Sequence, residues 1–93
     1  MSLTSRQYQY DVISLLLTGA RSDSAQGLTK KINTITVITL NGGSLSIKLN
    51  SSSDKSIPLA DNMKIEGTPI SELYWTNTAQ AGLTAQIYIA WID

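Results

Sequence analysis

The chain has 93 residues, seven basic and seven acidic side chains, and neither cysteine nor histidine, so it has room for one small core and one domain. Balanced charge removes the usual electrostatic case for a nucleic-acid or anionic-membrane partner. The missing residue types exclude a disulfide framework, a thiolate or imidazole metal site, and a Ser-His-Asp triad.

Residues 1–6 are expected to stay outside the fold. The apolar runs of the chain, such as Leu15 to Leu17, are far short of the roughly 20 residues of a membrane helix, and no apolar h-region of a secretory signal follows the polar start. Over residues 7–17, Tyr8, Val12, Leu15 and Leu16 would suit a helical stripe, while Ile13, Leu15 and Leu17 suit one face of a strand; we read a strand. Residues 18–27 hold turn formers and little apolar content, and read as a loop. From Ile32 to Leu40 the chain is rich in β-branched residues, which favour a pleated surface. Asn41-Gly42-Gly43 tolerates the positive φ of a tight turn, so this strand is expected to form an antiparallel hairpin with Ser44 to Asn50. In that second strand Leu45, Ile47 and Leu49 alternate with Ser44, Ser46, Lys48 and Asn50.

Ile57-Pro58-Leu59 can be extended only at an edge, because proline offers no ladder donor. After a turn at Ala60-Asp61-Asn62, Met63 to Glu66 reads as a strand with Met63 and Ile65 inward, ended by Gly67-Thr68-Pro69. Ile70 to Thr76 follows, with Leu73 and Trp75 on one face and Ile70, Tyr74 and Thr76 on the other. A polar corner from Asn77 to Gly82 leads into Thr84 to Ile92, where Ala85, Ile87, Ile89 and Trp91 oppose Gln86, Tyr88, Ala90 and Ile92. The expected fold is all-β: a single domain, 1–93, forming a jelly-roll-like antiparallel β-sandwich of six to eight short strands.

Little in this pattern carries chemistry. Asn41-Gly42-Gly43 lacks the spacing and following helix of a phosphate loop. Asn50, Asp54, Asp61 and Asn62 are oxygen donors without the spacing of a calcium loop, and are expected to cap turns. Asp54, Asp61, Glu66 and Glu72 fall at solvated strand positions with nothing to set a glycosidase separation. The expectations are therefore no catalytic residues, no metal, no cofactor and no enzyme activity. Trp75 and Trp91 share faces with aliphatic residues and are expected in the core. The last strand is apolar on both sides, which calls for a second layer of cover; a second copy of the chain is the economical source, unless the N-terminal segment provides it. The candidate oligomer interface is Tyr88, Ala90 and Ile92.

The stretches Thr36 to Asn50, Ile57-Pro58-Leu59, Met63 to Gly67, and above all Leu73 to Gly82 followed by Thr84 to Trp91, resemble small virion structural proteins of tailed bacteriophages. In those proteins one strand ends in an Asn-Thr corner and a final apolar strand follows. The resemblance implies a non-enzymatic subunit that assembles with itself and docks onto other virion proteins of the head, neck or tail, located in the virion or in the bacterial cytoplasm during assembly. It supplies no catalytic residue to carry over. The alternative expectation is a carbohydrate-binding module that stacks a host glycan on Tyr74 or Tyr88.

Overall fold

The structure, a computed structural model, describes residues 8–92. It has six strands and no helix among those residues: β1 (Tyr8–Leu16), β2 (Arg21–Thr39), β3 (Ser46–Leu49), β4 (Ile57–Pro58), β5 (Lys64–Asn77) and β6 (Thr84–Ile92). All pairings are antiparallel, in the order β1-β6-β2-β5-β3-β4. The expected jelly-roll-like β-sandwich is what forms, but two of its strands are long.

Those two strands, β2 and β5, run through both layers. The later part of β2 pairs with β6 through Thr34–Val37 and with the start of β5 through Thr34–Thr36, building leaf A together with β1. The earlier part of β2 pairs through Ser24–Gly27 with Glu72–Trp75 of β5, which in turn pairs with β3, building leaf B with β4. Between the leaves both strands bend. The β2–β5 register shifts on either side of Ile32, and Gly67 takes φ 93°, a conformation open to glycine and costly for other residues. Asn50 braces the bend, donating from Nδ2 to the Pro69 carbonyl and accepting the Ser71 N–H on Oδ1.

Three sequence expectations change. Residues 18–27 are not a loop, because β2 begins at Arg21; the strand is polar because it forms an edge of leaf B, with Asp23 in a bulge at φ 48°. Met63 to Glu66 and Ile70 to Thr76 are not separate strands, since Gly67 and Pro69 bend β5 without ending it, and the bend buries Ile70 instead of leaving it beside Tyr74. Finally, the hairpin between Ile32–Leu40 and Ser44–Asn50 does not form. The turn is there, with Asn41 at φ 52°, Gly42 at φ 83° and the Gly43 N–H bonded to the Leu40 carbonyl. Yet Val37 is already paired with Ile87 of β6 on one side and bonded to the backbone of Asn62 and Met63 on the other. With no free edge available, the chain crosses to leaf B and β3 pairs with β5 and β4.

The core lies between the leaves, where Leu17, Ile32, Ile35, Val37, Ile47, Ile70, Leu73, Trp75 and Ile87 are fully buried. One end is closed by Gln80, whose side chain bonds both the N–H and the carbonyl of Ser44. A Cβ added at Gly43 would stand 2.5 Å from Gln80 Oε1 and 3.0 Å from the methyls of Leu17 and Leu83. Gly43→Ala is therefore expected to cost about 1–3 kcal/mol through overpacking, seen as a lower urea midpoint at unchanged slope.

Candidate functional site

The two outer faces of the sandwich differ in chemistry. On leaf B, Asp23, Lys48, Glu72, Tyr74 and Thr76 satisfy one another. Lys48 Nζ lies 3.1 Å from Asp23 Oδ1, the Thr76 hydroxyl donates to the same carboxylate, and Tyr74 donates its phenol to Glu72 at 2.7 Å. The bond to Glu72, with its negative charge nearby, holds the Tyr74 phenol above its ordinary pKa.

Leaf A carries large apolar side chains outside, set among uncharged polar ones such as Ser14, Gln86, Thr34 and Thr36. From Tyr10 onward the even-numbered residues of β1 point outward, and Tyr10, Val12 and Leu16 are 66 %, 40 % and 64 % exposed. Beside them on β6, Tyr10 stands opposite Ala90 and Val12 opposite Tyr88, with the Tyr10 and Tyr88 rings stacked at 5.5 Å. Farther across, Thr34 and Thr36 of β2 lie opposite Ala90 and Tyr88, and Ile38 projects from a bulge between Val37 and Thr39 with 42 % of its surface open. All four of the exposed large apolar side chains among the described residues are thus on this one face. Its charged residues, Lys64 and Glu66, sit on β5 at the rim.

Of the expected interface residues, Tyr88 lies at the centre of this face, half-buried under Tyr10, and Ala90 is nearly covered at 5 % exposure. The Ile92 side chain lies outside the described residues. Sequence reasoning missed Tyr10, Val12, Leu16 and Ile38. The signal for the first three was available: once Ile13, Leu15 and Leu17 are inward, the even positions of the same strand must point outward. Within the described residues, β1 extends leaf A sideways through β6 and leaves its outer face uncovered.

Tyr74 and Tyr88 are not neighbours, since they lie on the outer faces of opposite leaves, and the Tyr74 hydroxyl is engaged by Glu72. The loop oxygens are dispersed as well: Asp61 accepts the Leu40 N–H at 2.7 Å while Asn50 serves the bend. Trp75 is in the core as expected, and Trp91 lines a cavity of about 160 Å³ at the open end, with Ile13, Leu28, Ile89 and the polar Asp11 and Gln26.

No family model matches the chain, and no curated protein matches its sequence. Solved structures do match in fold. The Cnp3 cupin domain of Schizosaccharomyces pombe superposes with a TM-score of 0.57 at 8 % identity, covering 100 % of this chain and 58 % of that one. The iron(II) form of HppE gives 0.62 at 12 %, covering 90 % and 42 %. The cupin protein BF4112 of Bacteroides fragilis gives 0.57 at 10 %, covering 100 % and 81 %. The chain therefore spans less than two thirds of the first two. At such identities the likeness is one of fold: a cupin-like jelly roll.

The expectation of a phage virion subunit, with a glycan-stacking module as its alternative, is overturned by these matches, which run to cupin domains and not to virion proteins. Nor do this chain's residues fit an iron centre. It has no histidine, the wall between the leaves is apolar, Asn77 is the one buried polar side chain among the described residues, and no three acidic side chains there converge on a point.

Proposed function

We propose that this cupin-like domain acts without catalysis, as an assembly module that binds a second copy of itself through the outer face of leaf A. The observation that carries the reading is the concentration of Tyr10, Val12, Leu16 and Ile38 on one sheet face, while the opposite face is polar and internally bonded. A sheet face left open to water is ordinarily polar. β1 and β6 offer nine residues each, and the leaf A parts of β2 and β5 span Thr34–Thr39 and Lys64–Glu66. At strand spacing this is a face of about 430 Å² per copy, so two copies stacked face to face bury about 860 Å², just short of the roughly 1,000 Å² of a stable association. The absence of charge from its centre suits a surface that must meet its own copy, because like charges would then be brought together.

The test is the native mass by light scattering. The protein is expected at a multiple of its 10.1 kDa, and Ile38→Asp, at an exposed bulge position where folding does not need the side chain, is expected to halve that mass. A monomeric native chain, or an unchanged mass in the variant, overturns the reading.

A further inference from the structure

Among the described residues the sandwich has four free strand edges, and three carry devices that prevent pairing. β4 is two residues long and contains Pro58. The early part of β2 is interrupted by the Asp23 bulge. The early part of β5 has Gly67 at φ 93°, Pro69 and the charged Lys64 and Glu66. β1 differs: its nine residues keep unbroken register with β6 and include neither glycine nor proline, and Asp11 is its one charge. What guards this edge is side-chain capping alone, by Asp11 on the Val12 N–H and Arg21 on the Leu16 carbonyl, which a partner strand can displace.

The groups offered by that edge can be identified. Leu17, an odd-numbered residue, bonds toward the β6 side through both its N–H and its carbonyl, to Leu83 and Gln80. Even-numbered residues point their backbone groups the other way: the Leu16 carbonyl accepts from Arg21, and the Val12 N–H is held by the neighbouring Asp11 carboxylate. Tyr10 and Ser14 thus present N–H and carbonyl together at the free edge, as alternate residues of an antiparallel strand do.

We propose that β1 pairs antiparallel with β1 of a second copy across a two-fold axis at Val12. Full overlap of two strands spanning Tyr8–Leu16 is centred on Val12, and Val12 is itself an outward-bonding position. The register that overlaps most chain therefore also matches donors to acceptors: Tyr10 with Ser14 of the second copy, Val12 with Val12, and Ser14 with Tyr10. It sets Asp11 opposite Ile13 and so avoids facing two carboxylates. The Asp11 cap on Val12 is exchanged for the intermolecular bond. The proposal rests on the self-association reading and adds a second contact to it. Edge pairing doubles leaf A into an eight-stranded sheet with the exposed apolar side chains of both copies on one side, and two such dimers stacked by that side close a tetramer with dihedral symmetry.

Two variants separate this contact from the face. Ser14→Pro removes an N–H that points away from β6, leaving the internal ladder intact; it is expected to halve the native mass from four chains to two. Ile38→Asp halves it independently, and the double variant is monomeric. In the cysteine-free chain, Val12→Cys is expected to form an intermolecular disulfide, since hydrogen-bonded partners place Cα atoms about 5.5 Å apart, within disulfide reach, whereas stacked sheets lie about 10 Å apart. Ser14→Cys, displaced from the axis, is expected not to. An unchanged mass in Ser14→Pro, or failure of Val12→Cys to cross-link, overturns edge pairing while leaving the face reading to be judged by Ile38→Asp.

Discussion

Trp75→Ala is expected to destabilise the protein by about 3–5 kcal/mol, a large share of the roughly 5–15 kcal/mol that holds a small domain folded. Trp75 is 2 % exposed in the middle strand of leaf B, between Ser24 of β2 and Ile47 of β3. Its indole Nε1 donates to Gln26 Oε1 at 2.8 Å, so the ring fills the interior while its polar atom ties down the mouth of the cavity. Alanine removes both and leaves a void that neighbouring strands, paired on each side, cannot close. Trp75→Phe keeps much of the volume and strands only the Gln26 acceptor near solvent, so its cost should be less than half as large. Urea unfolding followed by far-ultraviolet circular dichroism measures both; equal, small losses would mean that the ring is not what separates the leaves.

The second large effect belongs to Asn77, buried at 6 % exposure where β5 ends. Its Nδ2 donates to the carbonyls of Leu17, Gly19 and Thr78, and its Oδ1 accepts from Arg21 at 3.0 Å. One amide therefore pins the turn between β1 and β2 to the corner before β6. Asn77→Ala leaves those partners short of a donor, at about 2–3 kcal/mol. Asn77→Asp is expected to be worse near neutral pH, because a carboxylate cannot donate and turns its charge toward carbonyl oxygens, offset only in part by Arg21. Such surroundings raise the folded-state pKa of the introduced acid above its unfolded value. Stability should then return as pH falls through that folded value, when the protonated acid can donate once. Urea midpoints at neutral and mildly acidic pH check this, and an Asp variant insensitive to pH would contradict it.

The legible parts of the fold were those in which one strand carries its own evidence. β3 alternates cleanly and β6, though apolar on both sides, is plainly a strand, and each lies with the expected face inward, as Ile47 and Ile87 show. Pairing was less legible, because it depends on edges. Nothing near Asn41-Gly42 records that Val37 is already flanked by β6 and by the start of β5, and the local turn chemistry is the same whether the chain doubles back or crosses over. Arg21–Gly27 was hidden for a related reason. Its polar side chains meet leaf B partners such as Thr76 and Lys48, so burial never writes an apolar period into the sequence. The apolar face was half visible through Tyr88 and Ala90; β1 completed it once its register beside β6 was known.

Because β2 and β5 each run through both leaves, the layers of this sandwich cannot part as independent sheets. Fraying β2 removes a neighbour from β6 in one layer and from β5 in the other. The two strands form an antiparallel ribbon that is a common spine, and every other strand hangs on it directly or through one neighbour. Amides in both layers should therefore lose protection from solvent exchange in one cooperative opening. The same spine joins segments 28 to 56 positions apart, from Thr36 with Lys64 to Arg21 with Asn77, so assembling it is a long-range search that slows folding even though the finished domain is small.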